Sequence, residues 1–406
     1  MLKLKYDISV QNTRRIEMYN KIYNTIKESI DSGSTSGANI LVLKHGKEEL
    51  YCEYGLKDTE NNIPMTRDTI FRLYSQTKPV TAAAAMLLAS KGKIDLSADI
   101  ADYLPQFKES FVNINGVRTP ARRHITVNDL LNMTSGLAYP DENTPGGRQS
   151  GTLFWNMEQR LFGDNPMTTA EFAEGAAKLD LCFEPGEKFM YGISADILGA
   201  LIEKAADMSF GEFLKKEFFE PLDMPDTDFY VPAEKAHRLA KVYNYSENGL
   251  TECITNHLGL RYYRDVPPAF ESGGAGLCST LDDYSHFASM LLNGGTYCGK
   301  RILPEAAVRF MTKGGLDETQ KKQLHDGWDW LGGYSYGCLM RICEEERFTS
   351  VFSSKGEYGW DGWLGTFFSN EPAHGITLLM GVQQVGIGRT GTLVRKLKNI
   401  VMSELT

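Results

Sequence analysis

The sequence has 406 residues, 42% of them hydrophobic and 23% charged, so the chain can bury one large core or two fused ones. This composition excludes a disordered chain. A formal net charge of -9 argues against nucleic acid as a partner, which would need a clustered basic face, and equally against an anionic membrane surface.

The N-terminal region and the cysteines bear on the cellular compartment. Residues 1–23 contain no apolar run long enough for the core of a signal peptide, and no later segment approaches a membrane span. The seven cysteines form no CxxC pair and have no histidine at ligand spacing, which favours reduced thiols over a zinc site. We expect a cytoplasmic protein that needs no metal or organic cofactor, although a trimmed signal peptide would leave the same sequence. The sequence does not indicate an oligomeric state.

Two predicted elements lead to the first candidate site. Alternating β-branched and aromatic residues on both sides of His45-Gly46-Lys47 predict two strands joined by a turn. The chain then changes from a short apolar run to helix-forming alanine, methionine and leucine, and Lys91-Gly92 predicts the end of this helix. Ser75 is therefore expected at a helix start.

The middle of the chain, from about residue 95 to 265, is predicted to be mostly helical. Its helical segments, such as TTAEFAEGAAKL and SADILGALIEKAA, are separated by loops, one of them around Pro145-Gly146-Gly147. The last part combines the helix LDDYSHFASMLLNGG with three strand-like segments, YSYGCLMRIC, GTFFSN and GITLLMGVQQ, and ends in an amphipathic helix. Strands at both ends predict one sheet domain from residues 1–75 and 270–406. Residues 76–269 would form an inserted helical domain, with the active site in the cleft between the two.

Ser75 and Lys78 are the first candidate catalytic pair. Three residues apart on a helix, their side chains project from one face, about 5 to 6 Å apart at Cβ. A serine hydroxyl is a poor nucleophile until a neighbouring base takes its proton, and an uncharged amine can be that base. Alone, Ser-x-x-Lys is a weak motif, typical also of a helix cap followed by a solvated lysine. The apolar run AAAAMLL directly after it indicates a buried helix, in which a lysine needs a reason.

The sequence resembles the serine β-lactamases and penicillin-binding proteins, whose motifs include Ser-x-x-Lys. The resemblance is closest to class C β-lactamases and the related family VIII carboxylesterases, and it covers most of the chain. Five segments follow the family's order: FRLYSQTKPVTAAAAMLL, HITVNDLLNMTSGL, PGEKFMYGISADILGALIE, GGAGLCSTLDDYSHFASMLLNGG and YGWDGWLGTFFSNEP. It implies a β-lactamase/transpeptidase-like fold of the α/β (α+β) class, with an antiparallel sheet flanked by helices.

The resemblance implies a role for each matching residue. Ser75 corresponds to the acylated serine and Lys78 to the lysine that shares its proton. Tyr191 corresponds to the second-motif tyrosine, which in class C relatives hydrogen-bonds both of them and transfers protons. The backbone N–H groups of Ser75 and Trp363 would form the oxyanion hole.

Trp360-Asp361-Gly362 occupies the place of the family's third motif, on a strand beside the cleft. Gly362 would let the strand backbone approach the substrate closely. For Asp361, strand alternation favours an outward, solvated side chain over one that faces the cleft and binds a cation or water. The motif supplies three candidate substrate-binding residues.

Two departures from the β-lactamase pattern narrow the expected substrate. Ile193, which we also predict to be a substrate-binding residue, stands where the second motif carries an asparagine that binds the substrate amide. Trp360 replaces the third-motif cation. The amide and the carboxylate of a β-lactam or peptide substrate would then have no hydrogen-bonding partners, which would weaken its binding by several kcal/mol. We therefore expect a small-molecule acyl substrate, with hydrolysis or acyl transfer on small hydrophobic esters. The alternative is a β-lactamase or a D-amino-acid peptidase or amidase.

Two other interpretations remain open at this point. Gly333-Tyr334-Ser335-Tyr336-Gly337 fits the Gly-x-Ser-x-Gly elbow, with Asp361 and His374 following in α/β-hydrolase order. An elbow requires a helix after it, however, and CLMRIC indicates a strand. A non-catalytic binding domain on the same scaffold would be indicated by loss of the three catalytic residues, and all three are present.

Overall fold

The computed structural model describes residues 2–114, 116–246 and 249–406, with side chains from residue 14 onward except 387–389. The helices of this part are α1 (Leu2–Asp31), α2 (Lys78–Ser90), α3 (Val127–Leu131), α4 (Pro145–Arg160), α5 (Thr169–Ala176), α6 (Ser194–Ala206), α7 (Phe210–Leu214), α8 (Leu281–Leu292), α9 (Glu305–Met311), α10 (Glu318–Gly327) and α11 (Ile387–Leu405). None of them is long and apolar enough to cross a bilayer.

The strands fall into one large sheet and several short pairs. The large sheet contains β1 (Gly37–Lys44), β2 (Lys47–Asp58), β3 (Ile63–Pro64), β12 (Tyr334–Gly337), β13 (Met340–Cys343), β14 (Tyr358–Asp361), β15 (Phe367–Glu371) and β16 (Ile376–Gly381). The short pairs use β4 (Phe71–Arg72), β5 (Phe111–Ile114), β6 (Val117–Pro120), β7 (Tyr243–Ser246), β8 (Gly249–Glu252), β9 (Cys278–Ser279), β10 (Thr296–Tyr297), β11 (Lys300–Arg301) and β17 (Gln384–Val385).

The large sheet is antiparallel and has the order β12-β13-β14-β15-β16-β1-β2-β3, so strands from both ends of the sequence meet at β16 and β1. Side chains alternate between its faces. Ile40 and Val42 on β1 pack with α1 and α11, whereas Leu41 and Leu43 join the main core, which contains α2 and α8. The sheet therefore separates two hydrophobic layers, and the site lies on the side of the main core.

Local structure agrees with the sequence patterns at some points and differs at others. β1 and β2 form the predicted hairpin, and Gly92 ends α2 with a φ of +67°. Pro145-Gly146-Gly147, predicted as a loop, instead begins α4. Thr144 caps this helix and Pro145 occupies its first turn, where a missing N–H costs nothing. The segment predicted as one strand at residues 334–343 is the hairpin of β12 and β13.

The N-terminal helix α1 was outside the sequence predictions, because its apolar positions are sparse. Met18, Ile22 and Ile26 nevertheless lie fully buried against the sheet, at helical spacing. One hydrophobic core runs without interruption from the sheet into the helical region and so marks no boundary at residue 75 or 269. The predicted division into two domains therefore stays a prediction.

Candidate active site

Ser75 lies in a short 3-10 turn, Tyr74–Thr77, that continues directly into α2. Tyr74 holds the backbone in the left-handed region with a φ of +46°, which is unusual for a residue other than glycine. Such strain persists only where the surroundings hold it. The N–H of Leu73 bonds to the carbonyl of Leu277 and fixes the chain just before the turn. The turn directs the Ser75 side chain into a cleft lined with aromatic rings.

Lys78 is completely buried at the first turn of α2. Its Nζ lies 3.1 Å from Ser75 Oγ, 2.9 Å from the carbonyl oxygen of Gly274 and 3.2 Å from Tyr139 Oη. The predicted pairing of serine and lysine on one helical face is therefore present as direct contact. The amine and the hydroxyl are placed for proton exchange.

Tyr191 approaches the same point from the loop before α6. Gly192 allows this approach, because a Cβ there would lie 1.9 Å from the Leu137 carbonyl oxygen. The Tyr191 ring centroid lies 4.6 Å from Lys78 Nζ, and its hydroxyl accepts a 2.9 Å hydrogen bond from Trp360 Nε1. The resemblance implied hydrogen bonds from Tyr191 to serine and lysine. Instead, the tyrosine bonded to Lys78 is Tyr139.

Tyr139 was missed by the sequence analysis. It is the second residue after the HITVNDLLNMTSGL segment, so its place beside a family motif was the available signal. Its ring lies 5.9 Å from that of Tyr191. Burial raises the pKa of Tyr139 well above its usual range, and the nearby Asp196 adds to this effect. The Tyr139 hydroxyl therefore stays protonated and can donate.

Asp196 is a buried carboxylate close to Lys78 and Tyr139. It accepts hydrogen bonds from Ser272 Oγ at 2.5 Å and from the Gly274 N–H at 3.0 Å. Burial raises the pKa of Asp196, and the positive charge of Lys78 opposes that rise. A Cβ on Gly274 would lie 2.8 Å from Asp196 and 2.9 Å from the Tyr139 hydroxyl, so only glycine fits between them. Asp196 thereby holds the carbonyl that receives Lys78.

The end of β14 lies directly against the chain that carries the nucleophile. A Cβ on Gly362 would lie 2.3 Å from the Leu73 carbonyl oxygen, so this backbone contact requires glycine. Trp363 then packs on Tyr74, with ring centroids 5.0 Å apart. In the described part of the chain, the backbone N–H groups of Ser75 and Trp363 donate to no protein acceptor. They are available to an oxyanion.

Two cavities meet at Ser75 and share Ser75, Tyr191 and Trp363. We call the first, of about 490 Å³, the β14 lobe; its lining includes Trp328, Trp330, Trp360, Asp361, Thr366 and Arg395. We call the second, of about 480 Å³, the α4 lobe; its lining includes Tyr74, Tyr139, Phe154, Trp155, Glu158 and His257. All five tryptophans of the chain line one lobe or the other. Both volumes are typical of small-molecule sites.

Comparison with known proteins agrees with this geometry. The profile of the beta-lactamase family matches residues 22–397. The chain belongs to the beta-lactamase family. Protein Rv1367c of Mycobacterium tuberculosis is 33% identical over 367 residues and Esterase EstB of Burkholderia gladioli 26% over 390, covering 88% and 90% of both chains respectively.

A solved structure gives the same result for the fold. That of EstCE1, described as a hydrolase with promiscuous acyltransferase activity, superposes with a TM-score of 0.79 at 24% identity, covering 95% of this chain and 99% of the other. The predicted family, fold class and enzyme class, a serine hydrolase of the beta-lactamase family, are confirmed.

Two site predictions differ from what this beta-lactamase-family structure shows. The preferred outward, solvated orientation of Asp361 is wrong: its Oδ1 accepts a 2.7 Å hydrogen bond from the buried Arg341 and it lines the β14 lobe. The reason is a charge on β13 that the alternation pattern could not reveal. Ile193 is fully buried and lines neither lobe, so its prediction as a substrate-binding residue is also wrong.

The elbow interpretation does not fit the beta-lactamase-family structure. Ser335 is fully buried in β12, a strand followed by a strand. His374 bonds to Ser354, and Asp361 to Arg341, so the three residues of that hypothetical triad form no hydrogen bonds with one another.

Proposed function

We propose that this protein is a serine esterase or acyltransferase that works through an acyl-enzyme on Ser75. The observation that carries the proposal is the buried Lys78 amine 3.1 Å from the Ser75 hydroxyl, at the point where two cavities meet. A nucleophile at a junction can attack a carbonyl whose acyl and alcohol parts lie in different lobes. Nucleophile, base and room for both halves of an ester are thus present together.

The proposed reaction has two halves. Ser75 Oγ attacks the ester carbonyl while the uncharged Lys78 amine takes its proton, and the oxyanion is bound by the N–H groups of Ser75 and Trp363. A tyrosine, Tyr191 as predicted or the Lys78-bonded Tyr139, then protonates the leaving alkoxide. Water, or a second alcohol or amine, attacks the acyl-enzyme and the proton path runs in reverse.

Esters are favoured over β-lactams by the chemistry of the lining. Trp360 turns its only polar atom to Tyr191 and so presents no cation to a substrate. No asparagine stands at position 193 to bind a substrate amide. The similarity of this chain to EstB, an esterase, and to EstCE1, a hydrolase with promiscuous acyltransferase activity, supports the same choice.

One feature favours the second candidate, a β-lactamase or amidase. Arg395 on α11 lines the β14 lobe, and within the described ranges it forms no ion pair with a carboxylate. A guanidinium there suits a substrate carboxylate. Hydrolysis of nitrocefin at a rate above that of p-nitrophenyl butyrate would place this candidate first.

The test of the main proposal is covalent labelling with kinetics. A fluorophosphonate should label Ser75, and mass spectrometry of the digest identifies the peptide. Ser75→Ala should abolish labelling and p-nitrophenyl butyrate hydrolysis. Ser335→Ala, which removes a hydroxyl buried in β12, should retain both. Full turnover by Ser75→Ala, or a label on any other residue, would refute the proposal.

We further propose that the protein works in the cytoplasm. The support is its cysteines, all seven of which lie in the described part of the chain as free thiols, including the exposed Cys298. Free thiols persist in reducing compartments. Fractionation of the source cells checks this.

A further inference from the structure

The α4 lobe differs from the β14 lobe in charge. Its lining is mainly aromatic and carries one carboxylate, Glu158. The β14 lobe has three cations, Arg341, Arg395 and Lys398, in its lining, with Asp361 as its carboxylate. The two halves of a substrate that spans Ser75 therefore meet surroundings of different polarity.

Glu158 has no partner within the described ranges: its carboxylate forms neither a hydrogen bond nor an ion pair. It lies on the face of α4 that also carries Phe154 and Trp155, four and three residues earlier, so the carboxylate and the rings line the same wall. The side chain is half-buried, and burial raises the pKa of Glu158. A carboxylate held partly out of water without a counter-charge is most stable when a cation joins it.

The other rings of the lobe add further aromatic surface to its lining. His257 stacks on Trp363, with centroids 4.0 Å apart and planes 21° from parallel, and Tyr74 packs against both. Burial, together with Arg264, lowers the pKa of His257 to about 4, so this imidazole is neutral at pH 7. Aromatic faces attract ammonium groups electrostatically, and most strongly when the groups are quaternary or otherwise poorly hydrated.

The nearby cations do not face the lobe. Arg264 is 3% exposed and donates to the Gly276 carbonyl from behind the Tyr74 ring. Lys78 lies under Ser75 with its amine bonded to protein oxygens. The carboxylate of Glu158 is therefore the charged group that faces a ligand in the α4 lobe.

We propose that the α4 lobe binds an organic cation, so that the substrates of this protein are esters whose alcohol part carries a quaternary or protonated amine. This rests on the proposed esterase function. The alcohol is assigned to this lobe because both tyrosines able to protonate a leaving alkoxide, Tyr139 and Tyr191, line it, whereas Tyr139 does not line the β14 lobe. The aromatic wall binds the apolar surface of the cation and Glu158 its charge.

The kinetic test uses a charged ester and its neutral isostere. Butyrylcholine and 3,3-dimethylbutyl butyrate have the same shape and differ in one charge. We expect kcat/KM to favour butyrylcholine by about tenfold. Glu158→Gln should reduce that preference about fivefold or more, and Glu158→Lys should reverse it. Glu174→Gln, which removes an exposed charge of α5 outside the lobe, should match wild type.

A binding test separates this inference from the esterase proposal. Choline and 3,3-dimethylbutanol are titrated into Ser75→Ala protein, with tryptophan fluorescence as the signal, so no turnover is needed. Choline should bind about fivefold or more tightly than the neutral alcohol, with the difference lost in the Ser75→Ala/Glu158→Gln protein. Equal binding of the two alcohols, or a butyrylcholine preference that survives Glu158→Gln, would overturn the cation site. Ester turnover without that preference would leave the esterase proposal intact.

Discussion

The indole N–H of Trp360 donates a 2.9 Å hydrogen bond to the hydroxyl of Tyr191. The third motif of this chain thus contacts the second-motif tyrosine, where the family pattern has a cation for the substrate. The Trp360 ring also packs on Tyr191 and Tyr336, with centroids 5.6 and 5.0 Å apart, and it is 4% exposed. This hydrogen bond and the packing of the Trp360 ring together fix the orientation of Tyr191 beside Lys78.

Trp360→Phe keeps an aromatic ring and removes this donor. Because a neutral hydrogen bond contributes about 1 kcal/mol, we expect kcat/KM for p-nitrophenyl butyrate to fall about fivefold. A double-mutant cycle measures whether the effect passes through Tyr191: in a Tyr191→Phe background, Trp360→Phe should cause no further loss. An equal fall in both backgrounds would assign Trp360 a role in substrate binding instead.

Tyr139→Phe tests the tyrosine that Lys78 contacts. The change deletes the hydroxyl 3.2 Å from Lys78 Nζ and keeps the ring. If this hydroxyl takes part in proton transfer, kcat should fall about 100-fold with a small change in KM. Tyr263→Phe, at an exposed tyrosine, is the matched control and should behave as wild type. An unchanged kcat for Tyr139→Phe would leave Tyr191 as the proton-transferring tyrosine.

Short-range patterns in the sequence predicted the parts of the site that lie within one element. Ser75 and Lys78 share a helical turn, so their spacing was sufficient to predict that their side chains meet. Residues joined only by the fold were not predictable in this way. Tyr139 reaches Lys78 across 61 residues. Asp361 accepts a hydrogen bond from Arg341 on the neighbouring strand, and the alternation of residues along one strand cannot predict this pairing.

The five tryptophans around Ser75 show most clearly that sequence patterns do not predict which distant residues meet in the fold. They come from α4, from the segment after α10 and from the end of β14, and none has a periodic relation to the others. Their common place around Ser75 follows from the sheet order and from the packing of α4 against α5. The fold class, by contrast, followed from motif order, because five collinear segments constrain the whole chain.

A buried charge cluster beside the β14 lobe yields a prediction on stability. Arg341 donates to Glu357, which is fully buried, and to Asp361. Burial alone would raise the pKa of Glu357, but Lys398 and Arg341 lower it to about 2. Arg341→Met leaves both carboxylates with less compensation, so the free energy of unfolding should fall by about 3 to 5 kcal/mol in urea denaturation.

Arg347→Met is the matched control for that experiment. Arg347 pairs with Glu345 at 3.0 Å, but its side chain is 75% exposed. Exposed ion pairs contribute little because water and salt screen them, so we expect a change within about 0.5 kcal/mol. Equal effects of the two substitutions would show that Arg341 is not the stabilising partner of Glu357.

The raised pKa of Glu271 leads to a prediction of how the stability of the folded protein depends on pH. Burial raises the pKa of Glu271 to about 7, Glu203 and Asp228 add to the rise, and the Gly211 N–H, which donates to the carboxylate at 2.7 Å, opposes it. The unfolded chain has the ordinary value of 4.5. Between these values the folded state binds more protons than the unfolded state, so the contribution of Glu271 to stability is complete below pH 4.5 and is lost as the pH rises through 7.

Glu271→Gln removes this titration while keeping the shape of the side chain. The free energy of unfolding of this variant relative to that of wild type should increase from pH 5 to pH 8, by up to about 3 kcal/mol, because only wild type loses stability over this range. Urea denaturation at several pH values measures the difference, and Glu109→Gln, at an exposed glutamate, should show no such trend. A wild-type advantage that grows with pH would mean that Glu271 is stabilised as a carboxylate in the folded protein, with its pKa lowered rather than raised.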